Sequence, residues 1–154
     1  MSILRTILGV FVGIILAGMV VFTLEYTSHR IFPLSEETAA VLSSPESIAK
    51  LREADPDKLA ALIESIPLPA KISVVVGWAI GVFVGALLAA RVSRNHPIVA
   101  ALSIGVVQTL AVLMTLTMIP HPIWMAVAGL GTQLPPAYLA GRIVKGKLAA
   151  LPAR

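Results

Sequence analysis

No cysteine occurs in the chain, which excludes disulfides, thiolate metal sites and cysteine nucleophiles together. Charge is nearly as scarce: Asp, Glu, Lys and Arg make up 13% of 154 residues, against 57% hydrophobic side chains. A water-soluble domain of this length needs far more charge to stay dispersed, so the composition places the chain among membrane proteins. Acidic residues are missing from most of the sequence, since every one falls between Glu25 and Glu64. The sequence also lacks a phosphate-cradling glycine loop, a nucleophile elbow and paired carboxylates within an apolar run, so no recognised catalytic motif is present. The formal charge of +4 would suit nucleic acid if it formed one basic stripe. It is spread over short loops and termini instead, a membrane pattern, and no nucleic-acid partner is expected.

Mean hydropathy is +0.91, and four runs are long enough to cross about 30 Å of hydrocarbon, which takes roughly 20 apolar residues. They extend from about Ile3 to Leu24, Ile72 to Ala90, Ile98 to Ile119 and Ile123 to Ile143. The first exceeds the roughly 7–15-residue apolar core of a secretory signal and has no small-x-small site after it, so it reads as a retained helix. The expected fold is all-α: a single membrane domain, a four-transmembrane-helix bundle with a short helical extracytoplasmic insert between helices 1 and 2.

Orientation follows from charge. The loop from Ile31 to Ala70 holds seven acids against three bases, whereas Arg5, Arg91, Arg94, Arg142, Lys145, Lys147 and Arg154 sit on the opposite side with no acid. Basic loops stay in the cytoplasm. The expected location is therefore a bacterial-type inner membrane, with both termini and the loop between the second and third spans inside. The acidic loop and the Pro120-His121-Pro122 turn then face outward.

Within the acidic loop, Ser44-Pro45-Glu46 and Asp55-Pro56-Asp57 each read as a helix start, an N-cap followed by proline in the first turn. Leu59, Leu62, Ile63 and Ile66 share one helical face, and Pro67 and Pro69 end the run. Two short amphipathic helices are expected, lying on the outer surface as a lid. In the spans, Gly77, Gly81 and Gly85 recur every four residues with Ala89 after them. Gly9, Gly13 and Ala17, then Ala101, Gly105 and Thr109, then Gly129, Ala137 and Gly141 make shorter stripes. Small residues at this spacing let helices approach closely, the packing of a glycine zipper, within one chain or between copies.

The polar residues near the membrane are few. Gln108 and Gln133 fall at mid-span depth and are expected to face inward, as an interhelical hydrogen bond or as the lining of a polar path. Pro135-Pro136 is expected to kink the fourth span. Glu25 and His29 are spaced i and i+4 at the outer end of the first span, so they can meet on one face. His121 lies at the same depth. The mildest reading makes them boundary residues, with Tyr26 and Trp124 as aromatic anchors and Arg30 reaching outward. A sharper one makes Glu25, His29 and His121 three ligands of zinc or another divalent ion. Met114, Met118 and Met125, towards the same side, would suit copper(I) but are more often filler. A proton relay through the same groups is a third reading. No cofactor is required by the sequence.

Glu25 through Arg30 form an E-x-x-x-H-R pattern, and Pro120 to Trp124 a P-H-P-x-W turn. With these the chain resembles small four-helix inner-membrane proteins of bacteria, a family with no established activity. The expectation is accordingly a small accessory or interaction protein, with the lipid bilayer and a second copy or another membrane protein as partners. The alternatives are a small transporter or metal-binding protein with its outer site at Glu25, His29 and His121, and then a membrane enzyme using the same residues.

Overall fold

The computed structural model describes residues 2–150; Arg154, counted above among the basic residues, lies outside them. Helices follow one another along the described chain: α1 (Ser2–Ile31), α2 (Glu36–Leu42), α3 (Pro45–Ala54), α4 (Pro56–Ser65), α5 (Leu68–Val92), α6 (Pro97–Met118), α7 (Ile123–Gly131) and α8 (Leu134–Ala149). There is no strand among the described residues. Three helices are long and apolar enough to cross a membrane: α1 from Ile3, α5 and α6.

Two boundaries differ from the expected ones for physical reasons. α1 does not stop where its hydrocarbon ends; it continues to Ile31 and carries Glu25 and His29 on helical backbone. The fourth apolar run is two helices, interrupted at Thr132 and Gln133. The doubled proline does not kink a continuous helix. Pro135 and Pro136 stand in the first turn of α8, where a missing N–H leaves no bond unmade. The break precedes them, and local side chains cover it. Thr132 Oγ1 donates to the Ala128 carbonyl at 2.8 Å, and the Gln133 amide donates to the Gly129 carbonyl.

α5 is the central element, in contact with α1, α6, α7 and α8. It runs antiparallel to α1, and the two backbones nearly touch. A Cβ built on Gly85 would lie 2.5 Å from the Gly13 carbonyl oxygen, and one on Gly9 would lie 2.9 Å from that of Ala89. Hydroxyl pairs fasten both ends, Thr6 with Ser93 at 2.6 Å and Ser28 with Ser73. α6 and α8 pack alike: Gly141 faces Ile98 and Ala101, and Gly105 faces Ala137 and the Gln133 carbonyl. The main core is small-residue packing, with Ala17, Val82, Ala86, Ala89, Ala100, Ala101, Ile104, Ala137 and Ala140 all at 0% exposure. Arg91, Arg94 and Lys147 border one hollow at one end of this core, and residues 32–67 cover the opposite end.

That insert holds three helices, one more than the proline signals indicate. Ser44 and Asp55 cap α3 and α4, accepting from the Ser47 and Lys58 backbone N–H groups at 3.2 and 2.9 Å. The added helix, α2, is capped by Ser35, whose Oγ accepts from the Thr38 N–H at 3.2 Å. Ile48, Leu59 and Ile63 form the insert's own core, joined by Ile119 from the end of α6. Arg52 donates to the Thr117 carbonyl at 2.6 Å, pinning α3 to the same place. Asp55→Ala, which removes the α4 cap, is expected to cost about 1 kcal/mol. Limited proteolysis should then cut within residues 50–66 sooner than in the parent chain.

Candidate functional site

Where the insert meets α1, α5 and the α6–α7 turn, a cavity of about 210 Å³ remains. Its walls are largely apolar: Leu34, Leu42, Ile63, Ile66, Val74 and Met125 among others. Its polar lining comes from Glu25, His29, Lys71, Trp78, Thr115 and His121. The helix extension past Leu24 puts Glu25 one turn before His29, and the Pro120-His121-Pro122 turn brings the second imidazole from the far side.

Trp78 ties these groups together. It is 8% exposed, and its Nε1–H donates to Glu25 Oε1 at 3.2 Å. Its ring centroid lies 6.4 Å from that of His121, the planes tilted by 58°. The His121 ring is fixed in turn, with Nδ1 2.9 Å from the Ile119 carbonyl oxygen. A carbonyl accepts only, so Nδ1 carries the proton, and in the neutral ring Nε2 is left as an acceptor. Burial holds the His121 pKa below its ordinary 6.5, outweighing the bond to Ile119, which raises it. As pH falls through 6.5 the unfolded chain takes up a proton at His121 before the folded one does, so this residue makes the fold less stable in acid. The thermal midpoint should drop between pH 7.5 and 5.5, and His121→Gln should shrink that drop. An identical pH dependence in the variant would refute the assignment.

The sequence-derived residues are thus partly brought together. Glu25, His29 and His121 border the same cavity, but no group of three His or acidic side chains among the described residues is placed to hold a metal ion. Glu25 is half-buried with its bond to Trp78, whereas His29 is exposed at the rim. Arg30 is turned away onto Tyr26, donating to its hydroxyl at 2.7 Å. Met125 lines the cavity while Met114 is 67% exposed. Gln108 and Gln133 share no hydrogen bond among the described residues. Gln108 is half-buried, and Gln133 is fully buried with its amide nitrogen bonded within its own segment and its Oε1 unpartnered.

Sequence reasoning passed over Trp78 and Lys71. The signal for Trp78 was present: one indole in an aliphatic helix, whose N–H needs a partner once buried. Lys71, 8% exposed, donates from Nζ to the Glu64 carbonyl at 2.9 Å and so holds the insert down on α5. No family model, curated protein or solved structure matches this chain.

Proposed function

We propose that this chain is a small four-span inner-membrane protein of the accessory type that holds a small amphiphilic molecule in the cavity under its insert. The fourth crossing is made by α7 and α8 together; at ~1.5 Å per residue, Ile123 to Arg142 covers about 30 Å. The basic end faces the cytoplasm with both termini, and the acidic insert faces outward. The glycine stripes serve as a zipper within one chain, since Gly13, Gly81, Gly85, Gly105 and Gly141 all meet neighbouring elements of the same chain.

One observation carries the reading: a carboxylate, an indole and an imidazole from three separate segments converge on an apolar-walled space that the insert caps. Ligand sites are commonly of this kind, mostly apolar with a few placed polar groups. Holding is favoured over passing because the core below the cavity consists of fully buried alanine, valine and isoleucine. Native mass spectrometry of the protein, released from membranes in mild detergent, tests it. Wild type should carry a small-molecule adduct that Val74→Phe, filling the cavity, loses without change in helicity. A bare wild-type chain, or an adduct that survives Val74→Phe, would contradict the proposal.

A further inference from the structure

Resting on that reading, the chemistry of the cavity also specifies the head of its ligand. We infer that the cavity takes an amphiphile with a primary ammonium head, donated to Glu25 and His121, with its apolar part against the Leu34, Ile63 and Val74 walls.

Two of the polar groups left open there, on Glu25 and His121, are acceptors. Glu25 Oε1 receives the Trp78 N–H, while Oε2 has no hydrogen bond among the described residues. His121 spends its Nδ1 proton on Ile119, so Nε2 can only accept while the ring is neutral. Of the donors nearby, Trp78 gives its one N–H to Glu25, and Lys71 gives one of its three to the Glu64 carbonyl; no ion pair joins Lys71 to Glu25 among the described residues. His29 is exposed at the rim. A ligand head that accepts only, such as a carboxylate, would bring a second negative charge against the Glu25 carboxylate. A primary ammonium supplies three N–H donors, and the carboxylate favours a cation. Glu25 and an amine form a hydrogen bond whichever of the two holds the proton.

Size agrees. An apolar cavity of about 150 Å³ already holds benzene, so about 210 Å³ admits an ammonium and a short alkyl stem. Two sources share this chemistry: the headgroup of an aminophospholipid from the surrounding leaflet, and a free short-chain amine.

The test uses the full chain with Trp124→Phe, so that emission reports Trp78. Trp124 is 42% exposed and does not line the cavity. In phosphatidylcholine nanodiscs, whose headgroups have no N–H, hexylamine at pH 7 should shift Trp78 emission saturably, at least ten-fold more tightly than hexanol or hexanoate. Glu25→Gln should weaken hexylamine at least ten-fold and leave hexanol as it was. Phosphatidylethanolamine in the disc should suppress the hexylamine response if the lipid is the occupant, and leave it intact if a free amine is. Hexanol or hexanoate binding as tightly as hexylamine overturns the ammonium assignment and leaves the cavity reading standing. No saturable response to any of the three removes both. The selectivity series is read with Glu25 intact and so does not depend on the variant folding.

Discussion

Gly85→Ala should lower the thermal midpoint of the detergent-solubilised protein well below that of the parent chain, whereas Gly18→Ala should leave it nearly unchanged. Both substitutions add the same methyl group to a glycine in a membrane helix. At Gly85 that carbon would stand 2.5 Å from the Gly13 carbonyl oxygen and 2.8 Å from the Ala17 Cβ. Neither is the end of a flexible side chain, so α1 and α5 must separate. Overpacking of this kind costs about 1–3 kcal/mol, and it also loosens the hydroxyl pairs that fasten the two helices. At Gly18 nothing lies within 4 Å, and alanine's better helix propensity makes the change neutral to slightly favourable. Gly13→Ala should resemble Gly85→Ala, because its Cβ would meet the Gly85 carbonyl oxygen at 2.7 Å. Equal midpoints for Gly85→Ala and Gly18→Ala would mean that α1 and α5 are not in this register.

Trp78→Ala is the second large effect. Trp78 is the largest member of a buried cluster with Val75, Val112 and Met125, its ring packs against Gly129, and it forms part of the cavity wall. Truncating a buried Trp to Ala costs about 3–5 kcal/mol, and here α7 also loses the surface against which Gly129 sits. Trp78→Phe separates packing from hydrogen bonding. It keeps a ring but leaves the half-buried Glu25 without its indole donor, a loss of about 1–3 kcal/mol. The double variant Trp78→Phe/Glu25→Gln should then be less destabilised than the sum of the two single changes. Chemical unfolding followed by circular dichroism measures all three. Strict additivity would show that the 3.2 Å contact between Trp78 and Glu25 contributes nothing.

The helical class and three of the four membrane-length runs were legible because composition and periodicity are local signals. So were the caps at Ser44 and Asp55, each announced by a proline one residue later. α2 was not, since Ser35 is followed by Glu36 and Glu37 rather than proline, and the 7-residue helix is too short to display a periodicity. The break comes at Thr132–Gln133, one turn before the doubled proline, because Pro135 and Pro136 stand in the first turn of α8 and do not interrupt a helix. Glu25 and His29 stand out in the sequence by helical spacing and His121 by its shared depth, and all three border one cavity. Which of them interact was beyond the sequence: the donor to Glu25 is Trp78, on another helix and 53 positions away. His29, the neighbour that helical spacing suggests, lies exposed at the rim.

The absence of cysteine makes the central claim directly testable, because each introduced thiol is the only one in the chain. In right-side-out vesicles, Val74→Cys and Ile104→Cys are each exposed to a membrane-impermeant trimethylammonium methanethiosulfonate. The account predicts that Val74→Cys reacts from the outside and is slowed by hexylamine, while Ile104→Cys, at a fully buried core position, reacts from neither side. Reaction of Ile104→Cys from both sides would reveal a continuous aqueous path and a transporter. A Val74→Cys that stays unreactive outside would mean that no accessible cavity lies beneath the insert.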